Sequence, residues 1–203
     1  MKKTLLAVAL VASLGSGCSM LNKSDTVNYD ALRKDGAELM TKANAEGYQP
    51  SNVKQLEVVR FTVNTAFLAA KPTYERYIDE LKSTPVLGNY FAATEAVETE
   101  EEKRAIYDAL PADQKKVVDN FMKSSMSEEM MSGLGEAAKV ALENSSHFLA
   151  LDSTDMLSGI DFTQLLTEKE NVSFTIDQIS YLNATVISAY NNYKTVSAFS
   201  RAG

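Results

Sequence analysis

Apolar positions along most of this chain recur by threes and fours, the spacing that gathers side chains on one face of an α-helix. Tyr29, Leu32, Leu39, Met40 and Ala43 form the first such stripe, with Gly36 on the same face, and it stops at Gly47-Tyr48-Gln49-Pro50. A second begins near Ser51. There Leu56, Val59, Val63, Ala66 and Ala70 alternate by three and four, and Val58, Phe61 and Leu68 add another apolar face, which predicts a central helix. Pro72 is expected to end it, because proline lacks the N–H that a helix interior needs. Thr73 is then placed to cap a shorter helix carrying Tyr74, Tyr77, Ile78 and Leu81, and 85–93 reads as a short apolar segment, helical or irregular.

Further along, capping signals mark the boundaries. Thr99-Glu100-Glu101-Glu102 has the form of a capping box, in which the threonine oxygen accepts an early backbone N–H and the glutamate reaches back. Its helix carries Ile106, Tyr107 and Leu110. Pro111 suits the first turn of the next, with Val117, Val118, Phe121 and Met122 as the buried stripe. Ser127 is expected to cap a helix lined by Met130, Leu134, Ala138, Ala141, Ser145 and Phe148. From Asp152 to Asn171 the pattern is mixed, with loop signals at Asp152–Asp155 and Ser158-Gly159 and short helices expected at 155–157 and 162–169. Val172-Ser173-Phe174 has the composition of a short strand, and Thr175-Ile176-Asp177-Gln178 reads as a second capping box. The final stripe is the clearest: Ile179, Leu182, Val186, Ala189, Tyr193 and Val196 predict a long helix packed against the one that carries Leu56–Ala70. The expectation is an all-α fold, a single-domain bundle of about six helices over residues 28–203.

The first residues follow a different plan. Met1-Lys2-Lys3 is basic, Leu5 to Leu14 is apolar but for Ser13, and Gly15-Ser16-Gly17-Cys18 follows. Charge, apolar stretch and small residues are the three parts of a secretory signal. The apolar run is about half of the roughly 20 residues a membrane-spanning helix needs, so it reads as a removable leader. Leu14-Gly15-Ser16-Gly17-Cys18 resembles the lipobox of bacterial lipoproteins, with the leucine four residues before the cysteine where three is usual. That resemblance implies removal of residues 1–17, a thioether-linked diacylglycerol on Cys18, a fatty acyl chain such as palmitate on the new amine, and a tether over 18–27. An ordinary signal cut after Gly17 would leave Cys18 as a free thiol instead. Ser19, where aspartate retains lipoproteins in the inner membrane, implies an outer-membrane anchor facing the periplasm.

Composition narrows the chemistry. Loss of the leader leaves 186 of the 203 residues, and because Lys2 and Lys3 go with it the formal charge passes from −7 to −9. An acidic body is a poor partner for nucleic acid and is repelled by anionic head groups, so lipid rather than charge must hold it to a membrane. With Cys18 as the sole cysteine, an internal disulfide and any cysteine-built zinc site are excluded.

Candidate reactive groups are few. His147 is the single histidine, so any Ser-His-Asp relay would have to use it, yet no Gly-x-Ser-x-Gly marks a nucleophile. One imidazole does not complete a usual metal site. Met126, Met130 and Met131 suggest a soft-metal group, against the simpler reading of core filler. Glu98, Glu100, Glu101 and Glu102 lack the spacing of a calcium loop and suit a solvated helix start. Tyr74, Tyr77, Tyr90, Tyr181, Tyr190 and Tyr193 fall mostly on or beside apolar stripes; Tyr190 stands off its stripe and is the best candidate for an exposed or groove-lining aromatic.

No cofactor or metal is expected, and no catalytic residue is assigned. The sequence therefore points to a non-enzymatic envelope lipoprotein that binds or positions a protein or peptide partner, with Cys18 as its one residue of defined chemistry. Two other readings carry their own geometry. A carrier of a small apolar ligand would need an interior cavity lined by Phe61, Phe67, Met130 and Tyr193. A peptidoglycan-acting enzyme would need an open cleft with two facing carboxyls about 5–9 Å apart, one with a raised pKa.

Overall fold

The computed structural model describes residues 27–45, 47–150 and 165–201. Among these the fold is all-α: α1 (Tyr29–Ala45), α2 (Lys54–Ser83), α3 (Pro85–Ala96), α4 (Glu100–Asp108), α5 (Ala112–Met122), α6 (Ser125–Ala150) and α7 (Leu165–Leu182). A π-turn at Asn183–Ile187 joins α7 to α8 (Ser188–Arg201) without a break. The leader, Cys18, nearly all of the tether, the segment over 152–159 and the side chain of His147 lie outside the described residues. The helix expected over 162–169 is described from Leu165, where it is the start of α7.

α2 is the spine, packed along α6 and flanked by α7, α3 and α1. Leu56, Val59 and Val63 meet Ile179 of α7 in a small cluster, while the lower two-thirds of α2 joins α3, α5, α6 and α8 in the main core. The predicted contact between the final stripe and α2 is therefore present. All six residues of that stripe are buried.

Four local expectations are corrected. Pro72 does not end α2; the helix runs through it to Ser83. Pro72 sits on the exposed side, and buried residues on either side of it, Phe67 and Ala70 before and Tyr74 and Tyr77 after, share one face. Tertiary packing of that face outweighs the roughly 3 kcal/mol an interior proline costs. The added apolar face of α2 lies open to solvent, with Val58 61 % and Phe61 58 % exposed. Phe61 packs edge-on against Tyr48 at 5.8 Å.

At the start of α6 the capping serine is Ser124, not Ser127. Ser124 Oγ accepts the Ser127 N–H at 3.2 Å, and Ser127 itself is fully buried in the first turn. The box and strand expected over 172–178 are likewise absent, since Val172 to Gln178 are interior to α7. The Thr175 hydroxyl donates back to Asn171 O at 3.0 Å, the bond a mid-helix threonine makes. Gln178 reaches across to Asn64 Oδ1 at 2.8 Å rather than back along its own helix. By contrast, the Thr99–Glu102 box forms in both directions, and the Thr99 bonds hold the Glu102 carboxyl below its ordinary pKa. Pro111 stands one residue ahead of α5, as its cap.

The π-turn has a visible cause. Thr185 Oγ1 donates to Tyr181 O at 2.6 Å, and the Ser188 N–H bonds Asn183 O five residues back. An added residue widens the turn and alters the phase of everything beyond it.

Candidate functional site

An open groove of about 930 Å³ lies between α6 and α8. Its shape depends on Gly135. A Cβ there would fall 2.7 Å from Cε2 of Tyr190, so only glycine lets that ring lie against the α6 backbone. Tyr190 is half-buried, with the Lys194 ammonium 5.6 Å from its ring centre. Met131 and Tyr193 line the groove from buried positions, while Glu128, Glu136, Lys139 and Lys194 bring both signs of charge to its margin. Tyr190 thus occupies the groove-lining place read from its position off the stripe. The arrangement places aromatic area beside carboxylates and ammonium groups.

Five other tyrosines belong to the core and its edge. Phe67, Tyr181, Tyr74, Tyr77, Phe91, Tyr90 and Tyr107 form a continuous series of ring contacts with centroids 5.5–6.4 Å apart, most of them edge to face. Such pairs contribute about 0.5–1.5 kcal/mol each beyond burial. Phe121 joins at Phe91.

A polar cluster that sequence reading missed sits against this series. Glu95, near the end of α3, turns its carboxylate inward. Oε1 accepts from Tyr77 at 2.9 Å and from Tyr29 at 3.1 Å, while Oε2 is enclosed and has no hydrogen-bond partner. Burial pushes this carboxyl up to about 7, against the opposing pull of Tyr77, Tyr29, Lys103 and Asn192. Burial also raises Tyr29, Tyr74 and Tyr77 well above the ordinary phenol value. Asn192 of α8 donates to Thr94 Oγ1 at 2.9 Å, and Thr94 in turn donates to Tyr90 O at 3.0 Å.

A second polar cluster fastens the loop before α2. Arg60, 3 % exposed, donates to Gln49 O at 2.9 Å and lies over the Tyr48 ring at 5.4 Å. Glu57 accepts from Tyr48 at 3.0 Å and from the Ser51 N–H at 2.6 Å. Glu168 of α7 accepts the Asn52 N–H at 3.0 Å.

The remaining sequence candidates do not converge. Met126 is exposed while Met130 and Met131 are buried in the core, so the three sulfurs do not share a surface. Phe67 is fully buried whereas Phe61 faces solvent, so they do not line one interior cavity with Met130 and Tyr193. The one carboxyl pushed to about neutrality, Glu95, is enclosed by tyrosines instead of facing a second carboxyl across a cleft. Among the described residues, no group of three or more His, Cys, Asp and Glu is placed to hold a metal ion, and no helix is long and apolar enough to cross a membrane. No family model, curated protein or solved structure matches the chain.

Proposed function

We propose that this chain is a non-enzymatic lipoprotein of the bacterial envelope, held to a membrane through Cys18, that engages a protein or peptide partner in the groove between α6 and α8. The observation that carries this reading is the Tyr190 ring laid against Gly135 beside Lys194, in an open groove margined by both charge signs. Tyrosine offers large, rigid, amphipathic area at little entropic cost, which is why it dominates binding hot spots. The lipobox-like leader supports the anchor, and an anchor raises the local concentration of the groove at the membrane.

Two measurements test the two halves of the proposal. Cys18→Ser is expected to abolish uptake of labelled fatty acid and to move the protein from the membrane to the soluble fraction. Equal fractionation of wild type and variant would reject the anchor. For the groove, a photoreactive residue at Ser197, which lines it, is expected to yield one discrete adduct in intact cells. The same residue at Arg76, exposed on α2, is expected to yield none. Tyr190→Ala should remove the Ser197 adduct; an adduct indifferent to Tyr190 would reject the groove as the binding surface.

A further inference from the structure

The cluster around Glu95 has no part in the groove reading, yet it ties together more helices than any other polar group described above. Glu95 stands on α3. Facing it are Tyr29 from α1, Tyr74 and Tyr77 from α2, Lys103 from α4 and Asn192 from α8, with Thr94 beside it on its own helix. Lys103 is the single cation among these described neighbours, and it acts on Glu95 from a distance, without a salt-bridge contact. A charged carboxylate offers about four acceptor sites. Here both hydrogen bonds fall on Oε1, and Oε2 is enclosed without a donor. A buried charge so incompletely solvated is costly, whereas a proton on the carboxyl removes the charge altogether.

We propose that Glu95 is a proton-operated latch for α1: with its carboxyl protonated, α1 is held against α2 and α3, and ionisation loosens that helix so that water can reach the charge.

The choice of α1 follows from how each wall is fastened. α2, α3 and α8 are locked by core residues on several sides, among them Tyr77, Phe91, Ala189 and Val196. The N-terminal end of α1 is held differently. Its polar ties are the buried Tyr29 contact with Glu95, the Val27 N–H to Ala92 O bond at 3.0 Å, the Arg33 bond to Glu75 O, and the surface pairs Arg33–Asp79 and Asp30–Lys82; besides the Tyr29 ring, Val27 and Leu32 pack against the core only partly buried. Surface ion pairs hold little against solvent. Set against α2, α3 and α8, α1 is the wall whose displacement admits water at less cost.

The direction with pH is fixed by linkage. The closed state holds the carboxyl proton up to about pH 7, whereas an exposed carboxyl releases it near the ordinary value of 4.5. The latch therefore contributes fully below pH 4.5 and is lost as pH rises through about 7. Between those values the equilibrium for opening α1 rises by up to about tenfold per pH unit, the limit for release of one proton.

Hydrogen exchange of the full-length chain, read by mass spectrometry from pH 5 to 8 and corrected for the intrinsic exchange rate, tests this. Peptides from 29–45 should lose protection as pH rises, while peptides from the centre of α6 should not. Glu95→Gln, neutral at every pH, should keep α1 protected throughout. Tyr29→Phe removes a donor that favours the charged form, so its midpoint should lie above that of wild type. Flat protection of α1 in the wild type would overturn the proposal, and so would an unchanged pH dependence in Glu95→Gln. Should Glu95→Gln not fold, the Tyr29→Phe midpoint decides: no upward shift rejects the latch.

Discussion

Phe91→Ala is expected to destabilise the fold by about 3–5 kcal/mol, the usual cost of removing a fully enclosed aromatic ring. Phe91 is wholly buried, with Tyr77, Tyr90 and Phe121 around it at ring-centre distances of 6.0, 5.5 and 5.7 Å. Those rings stand on α2, α3 and α5, so the void left by the benzyl group is bounded by three helices that cannot all close on it. Against a net stability of about 5–15 kcal/mol for a typical domain, the loss is a large fraction. Urea unfolding followed by far-ultraviolet circular dichroism measures it directly. A loss below about 1 kcal/mol would mean that the neighbouring rings collapse into the space and that the series is not a rigid scaffold.

Arg60→Ala is expected to cost about 3 kcal/mol or more, the scale for removing one partner from a buried charged cluster. The guanidinium is the cation that faces Glu57 and the Tyr48 ring in that cluster, and its NH1 holds the Gln49 carbonyl. Without it, the Glu57 carboxylate is left with the Tyr48 hydroxyl and the Ser51 N–H, and Glu168 with the Asn52 N–H. Thermal unfolding reports the cost. Limited chymotrypsin digestion reports the place, since cleavage after Tyr48 should accelerate in the variant. Arg60→Lys should recover part of the stability but not the reach to Gln49, because an ammonium cannot reproduce the planar fork of the guanidinium. If cleavage at Tyr48 is equally slow in both variants, the loop is held by something other than this cluster.

How much of the fold the sequence disclosed depends on what each signal measures. Periodicity measures which side of a helix is apolar, and it located the stripe of Ile179 to Val196, though it left 85–93 undecided and read 172–178 as strand and cap where α7 runs through. It does not measure whether a second helix arrives to cover that side. Val58 and Phe61 looked like core on that ground and are surface. Local punctuation was less dependable where tertiary packing overrode it. Pro72 is a strong stop signal in isolation, yet the buried face that runs past it, from Phe67 to Tyr74, has too much to lose by ending there. Thr175 and Gln178 have the spacing of a cap but spend their polar atoms on Asn171 and Asn64. The Thr99 box formed because nothing nearby competes for its groups; Thr99 and Glu102 are both exposed.

The site was partly visible. Tyr190 stood out because it was displaced from an otherwise regular stripe, and displacement is a one-dimensional property. Glu95 did not stand out, although its spacing held a clue: it lies four residues after Phe91, where an apolar side chain would be expected. Sequence cannot place Tyr29 and Tyr77 beside it, because the three residues come from separate helices and meet only when α1 folds back on α2.

The π-turn at Asn183–Ile187 decides how the last helix is indexed. Both of the surfaces discussed above draw on α8 beyond that turn: Tyr190 and Lys194 for the groove, Asn192 for the neighbourhood of Glu95. One residue in an α-helix corresponds to a rotation of about 100°. Wound as an unbroken α-helix through 183–187, the same sequence would turn the residues of α8 by about that angle, and neither face would stand where it now does. The local widening at Asn183–Ile187 thus sets the facing of two separate surfaces together, without contributing a residue to the polar contacts of either.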